Sequence, residues 1–279
     1  MILPKISIID NLFSHAYSSS NWFKPLKFEW NFKTIEGEIL FFTDNMAMEA
    51  KKYNKFKKYM WLVESPMITP KSYEYVNDNW QDYDKIFTHS KKLLQHPNAN
   101  LLPIGGCHLD ENEISYEYEK NKLVSMMYSF KRFTTGHETR FQVANQLSQF
   151  IDIMGSGNTG VHLKKIHSCK NYAFSVVIEN CKEDYYFTEK IIDCFLTGTI
   201  PIYWGCPSIG DFFNKKGFLT FDSVEELHEI IKNKQFLLDF YVENMPIIIE
   251  NFDRAVNYKI AEDLLWKKYL NDDMIAKNK

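Results

Sequence analysis

The sequence predicts an α/β protein made of two successive domains, each built on a parallel sheet, followed by C-terminal helices. Short runs of apolar and β-branched residues alternate along the chain with stretches of helical periodicity, which is typical of βαβ units. A charged, glycine-containing stretch at 105–122 interrupts this alternation. With 279 residues, of which 45% are hydrophobic and 16% aromatic, the chain can bury a core in each half.

The first half predicts a Rossmann-like domain over residues 1–122, with its linker at about 105–122. Five apolar runs predict strands, and polar stretches with helical spacing lie between them. The predicted strands are 6–9, 38–42, 58–63, 85–88 and 101–104, and the predicted helical stretches are 47–52, 73–80 and 91–95. Glu64 follows the third strand directly, and Pro66 prevents the regular continuation of that strand.

The second half repeats the same alternation and predicts a second Rossmann-like domain with terminal helices over residues 123–279. The predicted strands are 123–129, 151–154, 174–178, 199–204 and 218–221, and the predicted helices are 137–150, 162–168, 188–198, 224–231, 236–252 and 255–270, with an interruption at Pro246. No internal repeat is evident.

Composition excludes several classes of protein and of site. The formal net charge of −3 gives no general reason to expect nucleic acid or an anionic membrane as a partner. No apolar run approaches the roughly 20 residues of a membrane span, and the first residues lack the pattern of a signal peptide. A soluble, cytoplasmic protein without an integral membrane segment is therefore expected. Five scattered cysteines without a CxxC pair, and histidines without HExxH spacing, indicate neither a disulfide framework nor a zinc site.

The stretch 172–205 organises the second half. A buried strand ends near Ile178, and Glu179 and Asn180 follow it directly. After a short polar loop, a helix begins at Thr188-Glu189-Lys190 and ends at Gly198, before the next strand. In open α/β sheets, ligands bind outside the carboxyl ends of the strands. These polar residues therefore predict the position of the chemistry.

Several motifs in this sequence resemble those of glycosyltransferase family 10, the α-1,3/1,4-fucosyltransferases. They are Ile178-Glu179-Asn180 for the family's FEN, Thr188-Glu189-Lys190 for its TEK, GTIPIYWG at 198–205, IDIMGSGNTG at 151–160 for its VDVFGRG segment, and Glu64-Ser65-Pro66 for its ESP motif. Arg140 lies at the place of the arginine that opens the preceding helix in the family. The chain departs from the family pattern at Ile178, Cys181 and Cys206 and in the segment after Glu64.

The resemblance implies a GT-B fold, in which two Rossmann-like domains face a cleft. It also implies an inverting transfer of L-fucose from GDP-fucose to a hydroxyl of an acceptor glycan, with an α-1,3 linkage to a GlcNAc or glucose-type residue. The donor substrate is then GDP-fucose and the partner a glycan, with no required cofactor or metal. The resemblance further implies that the first domain selects the acceptor and the second binds the nucleotide sugar. The departures after Glu64 therefore leave the identity of the acceptor open.

A diphosphate leaving group needs cationic donors, and Arg140 and Lys190 are the candidates. Both lie near the start of a predicted helix, where their charge adds to the positive end of the helix dipole. Lys131-Arg132 is a further candidate for phosphate contacts, but a basic pair beside a turn is more often simply exposed.

Six further residues are candidates for donor binding. Glu189 is expected to accept hydrogen bonds from ribose hydroxyls, and Asn180 and Tyr186 to contact phosphate, sugar or base. The alternatives are a loop amide bonded to its own backbone for Asn180 and a packed aromatic for Tyr186. Glu179 either joins the donor site or braces its loop, while Gly155 and Gly157 allow a tight turn or a close approach to the donor.

Glu64 is the candidate general base, because an attacking acceptor hydroxyl must lose its proton to a carboxylate within hydrogen-bond reach. Asp82-Tyr83-Asp84 matches the DxD pattern of metal-dependent glycosyltransferases, but it lies in the half of the chain that is not expected to bind the donor. We therefore interpret it as a solvated turn.

Three alternative functions are compatible with parts of this pattern. The first is a GT-B transferase that uses a different nucleotide sugar, and the second a non-catalytic nucleotide-sugar or glycan-binding module. The third is a Rossmann oxidoreductase, which is disfavoured because no GxGxxG opens a helix after a strand.

Overall fold

The structure is a computed structural model, and it describes residues 3–11, 18–19 and 23–271. The chain divides into two compact units. The first contains Met1–Gly106, Asp184–Tyr186 and Ile260–Lys279, and the second contains Cys107–Glu183 and Phe187–Lys259. The sequence pattern predicts that the whole of 123–279 belongs to the second domain, whereas the described residues from Ile260 onward pack with the first unit.

The first unit contains a six-stranded parallel sheet with the order β2-β1-β3-β4-β5-β6. Its strands are β1 (Lys5–Ile9), β2 (Glu29–Asn31), β3 (Ile39–Thr43), β4 (Lys57–Trp61), β5 (Lys85–Thr88) and β6 (Ala99–Leu101). All five residues of β3 are buried, as expected of a strand covered on both faces. The sequence analysis missed β2, because three residues are too few to show a periodicity.

The helical elements of the first unit are short. They are α1 (Pro70–Asp78), the 3₁₀ turns Asp44–Lys52, Trp80–Asp82 and Leu93–Gln95, and, near the end of the chain, α8 (Ala261–Leu265), which continues as the π-helical turn Trp266–Leu270. The buried Glu262 of α8 accepts hydrogen bonds from Trp30 Nε1 at 3.2 Å and from the Ser19 amide at 2.7 Å. Trp266 stacks on Phe28 with a centroid separation of 5.8 Å. These contacts attach the terminal helix to the first sheet.

The second unit contains a five-stranded parallel sheet with the order β11-β10-β9-β7-β8. Its strands are β7 (Lys122–Met127), β8 (Asp152–Met154), β9 (Tyr172–Ile178), β10 (Ile200–Trp204) and β11 (Leu219–Thr220). The central strand β9 is buried at all seven positions. From β7 the chain moves outward to β8 and then returns to the other side through β9. The direction of winding therefore reverses between β7 and β9, and such a point in an α/β sheet favours ligand binding.

The helices of the second unit are α2 (Thr135–Leu147), α3 (Ser156–Thr159), α4 (Glu189–Phe195), α5 (Val224–Lys232), α6 (Lys234–Glu243) and α7 (Met245–Val256), with 3₁₀ turns at Glu111–Glu113, Lys165–Ser168, Ile209–Asp211 and Lys215–Gly217. The predicted interruption at Pro246 divides α6 from α7, with the proline in the first turn of α7. Within the described ranges, no helix combines the length and the apolar character that crossing a bilayer requires.

Candidate active site

The carboxyl end of β9 leads directly into a buried carboxylate. Glu179 is fully buried, and its Oε1 accepts the Thr188 amide at 2.9 Å while its Oε2 accepts the Thr188 hydroxyl at 2.8 Å. Lys190 Nζ lies 3.4 Å from the same Oε2. Glu179 therefore binds the residue that precedes α4 and braces the start of that helix.

Lys190 lies between two carboxylates in the first turn of α4. Its ammonium donates to Thr188 Oγ1 at 2.9 Å and pairs with Glu189 Oε1 at 3.2 Å, in addition to the contact with Glu179. Burial opposes its charge, but Glu189 and Glu179 outweigh burial and raise the pKa of Lys190. The side chain keeps 19% of its surface exposed. The site thus holds a fixed positive charge that solvent still reaches.

Glu189 is ionised because cations lie close to its carboxylate. Burial opposes the charge of its carboxylate, but Lys190 and then His108 and Lys165 lower the pKa of Glu189 well below its usual range. His108 Nδ1 lies 3.8 Å from Glu189 Oε1. Burial in turn lowers the pKa of His108, which favours the neutral ring.

Arg140 lies against the end of β9. Its Nε and Nη2 donate to the Ile178 carbonyl at 2.9 and 2.7 Å, and Nη2 also donates to Asn180 Oδ1 at 2.9 Å. The side chain is nearly buried, with 7% of its surface exposed. The structure thus brings Arg140 and Asn180 together, and part of the guanidinium binds the backbone of the site itself.

Gly136 allows the start of α2 to contact the loop that follows β9. The Gly136 amide donates to the Asn180 carbonyl at 3.0 Å, and a Cβ built on Gly136 would lie 1.7 Å from the Glu179 carbonyl oxygen. A side chain at this position is therefore sterically excluded. Thr134 caps the helix by accepting the His137 amide at 3.1 Å.

Gly155 and Gly157 form the turn after β8, where both lie against Tyr128. Gly155 has φ +93°, and a Cβ there would lie 2.5 Å from the Tyr128 carbonyl oxygen. Gly157 faces the ring of Tyr128, whose hydroxyl donates to the Gly157 carbonyl at 2.6 Å. Their described contacts correspond to the tight-turn alternative, and an approach to the donor stays a prediction.

Tyr186 belongs to the first unit rather than to the cluster around α4. Its ring is almost fully buried and packs against His89, with ring centroids 4.9 Å apart. This contact matches the packed-aromatic alternative, and donor binding by Tyr186 stays a prediction.

Glu64 follows β4 in the first unit and is half-buried. Its amide donates to Asp44 Oδ1 at 3.1 Å, and its carbonyl accepts the Tyr73 hydroxyl at 2.6 Å. Both peptide groups of this residue are therefore held by side chains from other elements.

The basic pair Lys131-Arg132 and the acidic motif Asp82-Tyr83-Asp84 contact other residues of their own units. Arg132 pairs with Glu138 at 2.8 Å and lies over the Phe141 ring at 3.4 Å, and Asp84 Oδ2 accepts the Lys58 amide at 2.8 Å. In the part of the chain that the structure describes, no three His, Cys, Asp or Glu side chains are grouped so that they could hold a metal ion. Metal-independent activity stays a prediction.

Sequence reasoning missed His108 and its partner Asp193. Asp193 is buried on α4, and its Oδ1 accepts the His108 amide at 2.9 Å, which holds the histidine beside Glu189. Asp193 follows Glu189 by four residues and so lies on the same side of the helix. That spacing was a usable signal for Asp193, whereas nothing local marked a histidine 81 positions before Glu189.

Removing the carboxylate of Glu179 should strongly destabilise the second unit. Glu179→Ala leaves the Thr188 amide and hydroxyl without their acceptor and takes one counter-charge from Lys190. The expected loss in the free energy of unfolding is about 3 kcal/mol. Urea denaturation measures it, with Glu229→Ala as the control, since Glu229 forms an exposed pair with Lys232. An equal midpoint for both variants would contradict the bracing role.

Taken together, the carboxyl end of β9 carries two cations and two carboxylates within one unit. The cations Arg140 and Lys190 suit a phosphate group, and the ionised Glu189 suits sugar hydroxyls. Glu179 and Asn180 hold these side chains in place. The position is that expected for a ligand in a parallel α/β sheet.

Comparison with solved structures supports the fold. A crystal structure described as α1,3-fucosyltransferase with GDP-fucose superposes with a TM-score of 0.56 at 17% identity, over 91% of both chains. A crystal structure of TarM superposes with a TM-score of 0.54 at 12% identity, over 84% of this chain and 54% of that one. The chain therefore has the GT-B fold.

Comparison with curated sequences points in the same direction. An α-(1,3)-fucosyltransferase, FucT, of Helicobacter pylori is 41% identical over 80 residues, which are 26% of this chain and 17% of the relative. The human 4-galactosyl-N-acetylglucosaminide 3-α-L-fucosyltransferase 9 is 26% identical over 217 residues, or 71% of this chain and 55% of the relative. The match thus spans about half of the human relative's length and less of the bacterial one's.

A family model decides the assignment. The model for the C-terminal part of glycosyltransferase family 10 (fucosyltransferase) matches residues 118–260, about half of the chain. The matched residues include β9, the loop after it and α4. The chain belongs to glycosyltransferase family 10, the fucosyltransferase family.

Proposed function

We propose that this protein is an inverting glycosyltransferase that moves L-fucose from GDP-fucose to a hydroxyl of an acceptor glycan. The observation that carries the proposal is the pair Glu189 and Lys190 at the start of α4, where each charge stabilises the other beside the end of β9. In a chain of the fucosyltransferase family, this pair is suited to binding a nucleoside diphosphate sugar. Glu189 binds the ribose hydroxyls, and Lys190 binds the diphosphate.

In this mechanism, Glu64 accepts the proton of the acceptor hydroxyl as its oxygen attacks C1 of fucose. The bond between C1 and the β-phosphate oxygen breaks, and its electron pair leaves with GDP. Lys190, together with Arg140, stabilises the negative charge that develops on the diphosphate. Attack from the face opposite the leaving group inverts the configuration at C1. No cofactor or metal is required, since side-chain cations supply the charge.

The acceptor is proposed from the relatives. The human relative is named for transfer to the 3-position of a galactosylated N-acetylglucosaminide. We therefore propose an α-1,3 linkage to a GlcNAc or glucose-type residue. The sequence analysis also expects a cytoplasmic location, a first domain that selects the acceptor, and donor contacts from Tyr186, Gly155 and Gly157, and these remain part of the proposal.

A second candidate is a GT-B transferase with another nucleotide sugar. A solved structure described as Anabaena Alr3699/HepE in complex with UDP superposes with a TM-score of 0.51 at 12% identity. The same fold therefore accommodates a uridine nucleotide, and the donor must be tested directly.

Thermal unfolding with GDP, GDP-fucose, UDP and NAD, in EDTA throughout, tests the donor. A ligand at 100 times its dissociation constant stabilises the folded state by about 2.7 kcal/mol, which shifts the midpoint measurably. We expect a shift with GDP and GDP-fucose alone. A shift with UDP would favour the second candidate, a shift with NAD would favour an oxidoreductase, and no shift would contradict a nucleotide site.

A further inference from the structure

Three neighbouring parallel strands of the first unit place polar residues at the same edge of the sheet. Asp44 follows β3, Glu64 lies three residues beyond β4, and His89 follows β5. Since β3, β4 and β5 are adjacent and parallel, the residues after them converge. The sequence analysis singled out Glu64 only.

Asp44 holds the amide side of Glu64. It is fully buried, and its Oδ1 accepts the amides of Val63 at 3.0 Å and of Glu64 at 3.1 Å. Its φ of +38° places it near the left-handed region, which aspartate tolerates better than most residues. Burial, with a further contribution from the nearby Glu64 carboxylate, raises the pKa of Asp44 well above its usual range. The two amides favour the ionised form of Asp44, and a neutral carboxyl group still accepts both of them through its carbonyl oxygen.

Tyr73 of α1 holds the carbonyl side of Glu64. Its hydroxyl donates to the Glu64 carbonyl at 2.6 Å and lies 3.1 Å from His89 Nε2. A phenol has one proton, so its oxygen must accept from a protonated Nε2. Burial lowers the pKa of His89 to about 3, which keeps the ring neutral. His89 thus supports the hydroxyl that supports Glu64.

We propose that Asp44 and Tyr73, with His89 behind Tyr73, are positioning residues that fix the backbone of the general base Glu64. The inference rests on the proposed role of Glu64. A general base acts only within hydrogen-bond reach of its proton, and a displacement of about 1 Å can cost roughly 100-fold in rate. Buried side chains hold both peptide groups of Glu64, so the backbone of this residue is fixed in position before substrate binds.

Tyr73→Phe is the first test, with GDP-fucose and N-acetyllactosamine as substrates. It removes the hydroxyl and keeps the ring, so kcat should fall by about 10- to 100-fold while KM for GDP-fucose changes less than about twofold. Tyr83→Phe is the matched control, because this buried phenol of the same unit donates instead to the Ala47 carbonyl at 2.8 Å. An equal loss of kcat in both variants would assign the effect to general packing and overturn the inference.

The role of Asp44 is tested by two substitutions, one that removes the side-chain oxygen acceptor and one that keeps it. Asp44→Gly adopts the same backbone without strain but removes the acceptor, and it should lower kcat by about 10- to 100-fold. Asp44→Asn keeps an oxygen that accepts both amides and should recover most of that loss. If asparagine is as impaired as glycine, the charge of Asp44 matters and positioning by its oxygen is excluded.

A double-mutant comparison with Glu64→Gln separates the two proposals. If Tyr73 acts through Glu64, Tyr73→Phe should lower kcat little further in the Glu64→Gln background. An undiminished effect there would overturn positioning. If Glu64→Gln has the kcat of the wild type, Glu64 is not the general base, and the positioning inference fails with that proposal. If Glu64→Gln is inactive but Tyr73→Phe is fully active, Glu64 can remain the general base and only the positioning inference is overturned.

Discussion

Replacing Glu64 with glutamine is expected to lower kcat by about 10²- to 10⁴-fold, the usual contribution of a general base. Glutamine has nearly the same shape as glutamate and keeps the backbone contacts of residue 64, but its amide cannot accept the acceptor's proton. Because the backbone contacts to Asp44 and Tyr73 persist, folding should be unaffected. Binding of GDP should also be unchanged, because Glu64 is not among the residues proposed to bind the donor.

Steady-state kinetics and GDP titration together measure this prediction. Glu74→Gln is the control, since Glu74 is an exposed residue of α1 in the same unit. A folded Glu64→Gln protein with the turnover of the control would show that another group takes the proton. A variant that loses GDP affinity as well would place Glu64 in donor binding.

Replacing Lys190 with alanine is expected to lower kcat by about 10²- to 10³-fold, the loss typical of one preorganised charge-stabilising donor. The ammonium is held by Thr188, Glu189 and Glu179, so it needs no rearrangement when charge develops on the leaving diphosphate. Its removal also takes the cation that pairs directly with Glu189 and Glu179. The free energy of unfolding should therefore fall together with kcat.

The two effects are separated by measuring kcat at a temperature where every variant is folded. Lys232→Ala serves as the control, because Lys232 is an exposed residue at the end of α5 that pairs with Glu229. Wild-type kcat in folded Lys190→Ala would exclude Lys190 from leaving-group stabilisation. A loss confined to stability would make it a purely structural partner of the two carboxylates.

Most strands of both sheets were predictable from local sequence. A parallel strand buried on both faces is an uninterrupted apolar run, and β3 and β9 are buried along their whole length. The helix α4 was also predictable, since its apolar residues recur at helical spacing, although it ends at Phe195, three residues before Gly198. In contrast, β2 is short and escaped prediction.

The attachment of the C-terminal helix could not be predicted in this way. Its apolar residues indicate a helix with a buried face, but not the sheet that covers that face. Glu262 hydrogen-bonds to Trp30 and Ser19, more than two hundred positions away. Periodicity is a property of neighbouring residues and contains no information about such a partner.

The sequence by itself determined the two-sheet α/β architecture, the family motifs and the candidates Glu64, Arg140, Glu179, Glu189 and Lys190, because strand burial, helix ends and motif spacing are local properties. Only the tertiary structure decided how these side chains are held. Lys190 lies between two carboxylates, Arg140 binds the end of β9, and Asp44, Tyr73 and His89 converge on Glu64. Hydrogen bonds and pKa shifts depend on distances of a few ångströms between residues that are remote in sequence, and folding alone sets those distances.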